Sequence, residues 1–165
     1  MIYIGLGANI QNKKNVSLID SLNLAMEKIE SFSIRILEKS SFFSSAPLPI
    51  SDQPWFVNSV ISVETALEPL SLLENLHTIE RSFGRKRVQK WGPRTMDLDI
   101  LSYKEIQMFE KISIPHPRMH ERAFVLYPLK EISSNWIHPV LKKNVDQLIE
   151  ELPSGQRIQK IIQNS

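Results

Sequence analysis

The sequence contains no cysteine, which excludes disulfide bonds, zinc sites built on thiolates and catalysis by a thiol. No stretch approaches the roughly 18 consecutive apolar residues that a membrane helix needs, and the chain begins without the basic start of a signal peptide. The net charge is only +2, from 20 Lys and Arg against 18 Asp and Glu, so overall charge indicates neither a nucleic-acid nor a membrane partner. We therefore expect a cytoplasmic protein with small-molecule partners, no nucleic acid and no membrane, and a monomer by default.

Glycine-rich phosphate-binding motifs are also missing. The chain has five glycines and no G-x-x-x-x-G-K-[ST] loop, and Gly5-Leu6-Gly7 lacks the third glycine of a dinucleotide fingerprint. If a nucleotide binds, arginines and metal ions must hold its phosphates. Gly5 and Gly7 share one face of a predicted strand, where we expect them to allow a helix to pack closely.

The pattern of apolar residues predicts a single α+β domain covering residues 1–165. Apolar and β-branched runs predict four main strands, at residues 2–8, 33–45, 56–65 and 95–103. Helical spacing predicts two helices between them, at 13–31 and at 69–83, the second ending at Gly84. Weaker patterns predict a hairpin or edge strand at 106–114, a helix at 118–132 interrupted near Pro128, a helix at 145–152 and a strand at 157–162. This order favours a ferredoxin-like, mixed or antiparallel sheet covered by helices in αβα layers.

Two aspartates in the fourth predicted strand are the strongest chemical signal. Residues two apart in a strand lie about 6–7 Å apart on one face, so Asp97 and Asp99 project together while Leu98 points into the core. Two carboxylates at that spacing suit Mg²⁺, particularly Mg²⁺ that also binds phosphates. The competing interpretation is a solvated strand face with two harmless acids.

Arginines surround this pair. Arg94 would point into the core if the strand ran straight, so we expect Gly92 and Pro93 to bend the chain and turn Arg94 toward the acids. The preceding segment is basic and is either a solvated loop or a lid that grips phosphates; its notable residues are Arg85, Lys86, Arg87, Lys90 and Trp91.

Two further clusters suit ligands. His116 is fixed between two prolines, and Arg118 and Arg122 are four residues apart on a predicted helix, which suits an anion; His120 is expected at an exposed helix position. Phe56 and Asn58 share a strand face, so Asn58 is either a satisfied core amide or one that reads a flat heterocycle stacked on aromatic rings such as those of Phe56, Trp91 and Phe124.

The segment Trp91-Gly92-Pro93-Arg94-x-x-Asp97-Leu98-Asp99-Ile100-Leu101 resembles the signature of the 6-hydroxymethyl-7,8-dihydropterin pyrophosphokinase family. Five more blocks resemble this family in the same order, from about residue 3 to residue 132: Tyr3-Ile4-Gly5-Leu6-Gly7-Ala8-Asn9, Ser40-Ser41-Phe42-Phe43, Gln53-Pro54-x-Phe56-x-Asn58, Ile79-Glu80-x-x-Phe83-Gly84-Arg85 and Pro115-His116-Pro117-Arg118-Met119-x-x-Arg122-x-Phe124. The resemblance implies a ferredoxin-like fold and transfer of the β,γ-pyrophosphoryl group of ATP, a co-substrate, to the hydroxymethyl oxygen of the pterin, with release of AMP.

The resemblance also implies roles for individual residues. Asp97 and Asp99 would hold two Mg²⁺ ions, and together with Arg85 and Arg94 would form the catalytic set. The ATP-binding residues would be His77, Glu80, Arg85, Arg94, Ile100, Lys111, Ser113, His116 and Arg122. The pterin-binding residues would be Ser45, Leu48, Phe56, Asn58, Trp91, Asp97 and Phe124.

Two other functions stay open from the residues alone. A ferredoxin-like domain with aromatic residues on its sheet and a basic loop suits an RNA-binding module, although Asp97 and Asp99 would repel phosphates unless they held a metal. A two-metal phosphatase or nuclease would use the same acids to hydrolyse a substrate.

Overall fold

A computed structural model describes residues 1–84 and 92–163 of the chain. Its strands are β1 (Ile2–Ala8), β2 (Arg35–Lys39), β3 (Phe43–Ser45), β4 (Phe56–Glu64), β5 (Asp97–Tyr103) and β6 (Ile158–Lys160). Its α-helices are α1 (Leu18–Glu30), α2 (Pro69–Ser82), α3 (Ala123–Ile132) and α4 (Val145–Glu150), and a 3₁₀ turn, Met119–Glu121, precedes α3.

The strands form one antiparallel sheet with β1 and β4 at its centre. The order is β5-β1-β4-β3-β6, and β2 pairs with the same central strand, β4. The pairings of β1 with β4 and with β5, of β4 with β2 and β3, and of β3 with β6 are all antiparallel. The predicted α+β, ferredoxin-like arrangement is confirmed.

Alternation along β1 separates two helical layers. Ile2, Ile4 and Leu6 belong to a buried cluster with residues of α1 and α2, because alternate side chains of a strand point to opposite faces. Tyr3 faces the other way and packs with Val60, Leu101 and apolar residues of α3. The sheet therefore lies between α1 and α2 on one side and α3 on the other, which gives the predicted αβα layers.

The predicted strand at residues 33–45 is wrong in one respect: it is two strands, β2 and β3, separated at Ser40. The Ser40 hydroxyl accepts a hydrogen bond from the Val60 amide at 2.9 Å and lies 3.0 Å from the Ser59 hydroxyl. A side chain thus takes the place of a backbone carbonyl, and the regular ladder with β4 stops there.

Helix boundaries also differ from the prediction. α1 begins at Leu18 rather than near residue 13, because Ser17 caps it by accepting the Asp20 amide at 3.0 Å and Asn15 has a left-handed φ of 67°. The predicted interruption near Pro128 lies instead at Arg122, whose backbone is extended, and Pro128 lies inside α3. Of the predicted hairpin or edge strand at 106–114, the structure has one antiparallel bridge, between Met108 and Ile114.

Candidate active site

Asp97 and Asp99 project from β5 into a cavity of about 580 Å³. Between them Leu98 is 1% exposed and packs into the core, so the predicted alternation of acids and apolar residues is observed. The cavity falls within the size range of small-molecule sites. The strand therefore presents two carboxylates to a ligand-sized space.

Asn9, at the end of β1, fixes the bend that the sequence predicts before β5. Its side-chain oxygen accepts the Arg94 amide at 2.8 Å, and its own amide donates to the Arg94 carbonyl at 2.9 Å. Its side-chain nitrogen donates to the carbonyl of Pro54 at 3.0 Å and to the side chain of Gln53 at 3.2 Å. Asn9 was not among the predicted site residues; its place two residues after Gly7, in a block that resembles the family, was the available signal.

The bend places Arg94 on the same cavity as Asp97 and Asp99. Its guanidinium donates to the carbonyls of Gly92 at 3.1 Å and Pro93 at 3.3 Å. These contacts hold a cation on the wall beside the two acids. An arginine in that position suits a phosphate group.

His116, Arg118 and Arg122 line the cavity on the side of the loop that follows β5. Burial, followed by the charge of Arg122, lowers the pKa of His116 to about 4, so this imidazole is neutral near pH 7. Its Nδ1 accepts the Arg118 amide at 3.1 Å, which leaves the proton on Nε2, 3.9 Å from an Asp99 oxygen. His116 is therefore a neutral donor, while burial lowers the pKa of Arg122 and Asp99 and Asp97 oppose that shift.

The cavity is also lined by a buried amide and by aromatic side chains. Asn58 is buried at 4% exposure, and its Nδ2 donates to the Ser45 hydroxyl at 2.7 Å. Phe56 and Phe124 line the same cavity, as does Leu48. Flat apolar surfaces beside a hydrogen-bonding edge suit an aromatic heterocycle.

Gly5 and Gly7 line the cavity. The prediction that they allow a helix to pack closely is therefore wrong. A Cβ at Gly7 would come within 3.1 Å of the Asn58 side-chain oxygen, and one at Gly5 within 3.4 Å of Leu101. The missing side chains therefore leave room for Asn58 and for the cavity itself.

Several residues implied by the resemblance are not among the described residues that line the cavity. Glu80 is 2% exposed and its carboxylate accepts the Leu98 amide at 2.8 Å, a contact between α2 and β5. The side chain of Ile100 lies in the core at 4% exposure. His77 and Ser113 are half-buried and Lys111 is exposed, all outside the lining.

The predicted contacts of Arg85 and Trp91, and the lid hypothesis for Lys86, Arg87 and Lys90, lie outside the described residues. The expectation for His120 is wrong, because this ring is half-buried with its centroid 5.8 Å from that of His138. The described residues contain no helix that is long and apolar enough to cross a membrane.

The donor set fits Mg²⁺. Within residues 1–84 and 92–163, no group of three or more His, Asp or Glu side chains could hold a metal ion by itself. Mg²⁺ commonly takes one or two carboxylates and completes its shell with water and substrate phosphates. Asp97 and Asp99 in an open cavity supply that arrangement.

Comparison with known proteins places these features in a family. Residues 3–134 match the family model described as 7,8-dihydro-6-hydroxymethylpterin-pyrophosphokinase (HPPK). A Haemophilus influenzae protein named 2-amino-4-hydroxy-6-hydroxymethyldihydropteridine pyrophosphokinase is 44% identical over 139 residues, which cover 83% of this chain and 84% of that one. An Aquifex aeolicus protein with the same name is 36% identical and covers 91% of each chain.

Longer proteins contain a similar region. The Pneumocystis carinii folic acid synthesis protein fol1 is 40% identical over 92% of this chain but only 20% of its own length. A crystal structure of an HPPK-DHPS in complex with substrates has a TM-score of 0.70 at 15% identity over 91% of this chain, which shows a common fold; this chain spans 43% of that one. The matched region includes both aspartates and the cavity-lining arginines, and the chain belongs to the 7,8-dihydro-6-hydroxymethylpterin-pyrophosphokinase family.

Proposed function

We propose that this chain transfers the β,γ-pyrophosphoryl group of ATP to the hydroxymethyl oxygen of 6-hydroxymethyl-7,8-dihydropterin in tetrahydrofolate biosynthesis. The predicted family and the class of enzyme, a diphosphotransferase, are confirmed by the family match. One observation carries the assignment to this cavity: two aspartates and three arginines line the same cavity as a buried amide and two phenylalanine rings.

The pterin would lie between Phe56 and Phe124. Both rings line the cavity, and stacking against aromatic faces suits a flat bicyclic ring. The polar edge of the pterin would meet the Asn58 amide, which Ser45 orients, and the backbone near Leu48. Trp91 is kept as a proposed pterin contact.

The phosphates of ATP would lie along Arg94, Arg118 and Arg122. These side chains line the cavity near Asp97 and Asp99, and guanidinium groups pair well with phosphate oxygens. The neutral His116 can donate a hydrogen bond from its Nε2 to the nucleotide. Other proposed nucleotide contacts are Arg85, His77, Glu80, Lys111, Ser113 and Ile100.

Asp97 and Asp99 would hold Mg²⁺, for which we propose two ions. When bound, Mg²⁺ neutralises phosphate charge and polarises the phosphoryl oxygens. The carboxylates fix this charge at one place on β5, and Glu80 holds that strand through Leu98.

The transfer forms a bond between the pterin hydroxymethyl oxygen and the β-phosphorus. The bond from the β-phosphorus to the oxygen bridging the α- and β-phosphates breaks, AMP leaves with that oxygen, and the hydroxyl proton passes to solvent. The chain's own contribution is to align the two substrates and to place Arg94 and Arg122 beside the phosphates. Such positioning and electrostatic stabilisation account for most catalysis of phosphoryl transfer.

Phosphorus NMR of the purified protein with ATP, Mg²⁺ and 6-hydroxymethyl-7,8-dihydropterin tests the reaction. The expected result is AMP together with a pterin diphosphate, formed only when the pterin is present and abolished by EDTA. ADP would indicate an ordinary kinase, and free phosphate a hydrolase. Absence of turnover together with salt-sensitive RNA binding would favour the RNA-binding module instead.

We also propose that residues 1–165 act as one domain, that the protein is a monomer and that it is cytoplasmic. Light scattering after size-exclusion chromatography tests the monomer, and cell fractionation tests the location. A stable dimer or a membrane-associated pool would contradict these proposals.

A further inference from the structure

The segment between α4 and β6 forms part of the cavity wall. Pro153, Ser154 and Gln156 line the cavity, although they lie beyond residue 134, where the family match ends. No predicted site residue lies in this tail. Its contacts connect it to both sides of the cavity.

The side-chain amide of Gln156 bridges two backbone groups. Its Nε2 donates to the Glu121 carbonyl at 2.7 Å, and its Oε1 accepts the Ala123 amide at 2.8 Å. Both distances are typical of well-formed hydrogen bonds. The residue between the two contacts is Arg122, so Gln156 fixes the backbone on each side of a cavity-lining arginine.

This bridge is placed where the chain changes direction. Arg122 has an extended backbone (φ −118°, ψ 114°) and is the N-cap of α3, but its own side chain makes no capping hydrogen bond. The first amides of a helix need an acceptor from outside the helix, and Gln156 supplies one to Ala123. The Arg122 guanidinium lies 5.4 Å from the Phe124 ring. Gln156 therefore contacts the backbone directly before and directly after Arg122 and one residue before Phe124.

The next residue holds the opposite wall. The Arg157 carbonyl accepts the Ala46 amide at 3.0 Å, and its guanidinium lies 5.0 Å from the Trp55 ring. Ala46 follows Ser45 and Trp55 precedes Phe56. Two consecutive tail residues thus tie the wall that carries Phe124 to the wall that carries Phe56.

We propose that Gln156 is a positioning residue for pterin binding, with Arg157 as its counterpart on the facing wall. Gln156 fixes the backbone of residues 121–123 so that Arg122 and Phe124 face the cavity at the spacing that the pterin requires. This inference rests on the proposed function, because it assigns the pterin to the space between Phe56 and Phe124.

Calorimetric titration of the pterin, with and without a non-hydrolysable ATP analogue, tests the proposal. Gln156→Ala removes both hydrogen bonds, and we expect the pterin Kd and KM to rise about tenfold while kcat changes less. Gln156→Glu keeps an acceptor for Ala123 but sets a carboxylate oxygen against the Glu121 carbonyl. It should weaken pterin binding, because repulsion between these two oxygens shifts the backbone beside Arg122.

Gln159→Ala is the matched control, because Gln159 is exposed on β6 three residues further along. It should leave pterin binding unchanged. Wild-type pterin Kd in both Gln156 variants would overturn the proposal, and so would a lower melting temperature with an unchanged Kd, which indicates a purely structural residue.

Failure of the proposed function has a different signature: the wild-type protein would neither bind nor convert the pterin. The variants would then be compared by ¹⁵N NMR. The pterin-binding role of Gln156 would be overturned with the proposed function, and shifted amide signals at residues 121–124 in Gln156→Ala would support only the positioning of Arg122 and Phe124, which unchanged signals would overturn as well.

Discussion

The buried carboxylate of Glu80 accepts a hydrogen bond from the backbone amide of Leu98 at 2.8 Å. Leu98 lies between Asp97 and Asp99, so this contact ties α2 to the strand segment that presents both acids to the cavity. Glu80, which the family resemblance implies as a nucleotide contact, thus also supports from α2 the strand that carries both aspartates.

Replacing Glu80 by Ala should lower the free energy of unfolding by about 2–3 kcal/mol, because it leaves the Leu98 amide without this acceptor and creates a buried space. Urea denaturation measures the change. Glu74→Ala is the control, since Glu74 is exposed on the same helix and should alter stability little. A raised KM for ATP at unchanged stability would contradict this structural role and support the nucleotide contact that the resemblance implies for Glu80.

Asp97→Asn and Asp99→Asn should each lower turnover by about 100- to 1,000-fold, because they weaken the fixed negative charge that holds Mg²⁺. The Mg²⁺ concentration needed for half-maximal activity should rise as well. Initial rates over a Mg²⁺ titration measure both effects.

Asp146→Asn provides the matched control for the acid pair. Asp146 is exposed on α4 and pairs with Lys130 at 2.6 Å, an interaction that contributes little at a surface. Normal turnover and normal Mg²⁺ dependence in both cavity variants would contradict the metal assignment.

Gly7→Ala should weaken pterin binding about tenfold, because the new Cβ would come within 3.1 Å of the Asn58 oxygen and displace the amide. Gly5→Ala adds the same methyl group on the same strand face but meets the Leu101 side chain at 3.4 Å. Its effect should be smaller. Calorimetric titrations compare the pterin Kd of the two variants. Equal values would show that displacement of Asn58 is not the cause of the weaker binding.

Acid should destabilise the protein through His138. Burial, followed by the neighbouring His120, lowers the pKa of His138 to about 4, below the value of about 6.5 expected in the unfolded chain. The unfolded state therefore binds more protons between these values, so stability falls as the pH drops through that window. The loss attributable to this residue between pH 7 and pH 5 is about 2 kcal/mol.

His138→Asn isolates this contribution. The His138 Nδ1 accepts the amides of Val140 at 3.2 Å and Leu141 at 3.1 Å, and an Asn side-chain oxygen can accept the same amides without titrating. Urea denaturation at pH 5 and pH 7 should show that the free energy of unfolding falls less between these pH values in the variant than in the wild type. His116, whose pKa burial and Arg122 also lower to about 4, contributes to the pH dependence that remains. An identical change in the free energy of unfolding between pH 7 and pH 5 in both proteins would contradict the prediction.

Local patterns were sufficient for much of the fold and for one part of the site. Alternation alone predicted that Asp97 and Asp99 share a face opposite Leu98, and Pro69 marked the first residue of α2. These features depend on neighbouring residues, which is the information that periodicity carries.

Features that depend on distant partners were missed. The break at Ser40 depends on Val60, and the buried position of Glu80 depends on the Leu98 amide. The role of Gln156 depends on backbone groups more than 30 residues earlier in the chain. None of these contacts produces a period or a motif, so only the folded chain brings them together.

The two faces of β1 set opposite limits on side-chain volume during sequence drift. Toward α1 and α2, Ile4 and Leu6 fill a close-packed core, where a smaller residue leaves a cavity. Toward the ligand cavity, Gly5 and Gly7 occupy positions where any larger residue takes up space. Neutral substitutions in this strand therefore face a minimum side-chain volume at the core positions and a maximum side-chain volume at the cavity positions, and the two limits alternate from one residue to the next.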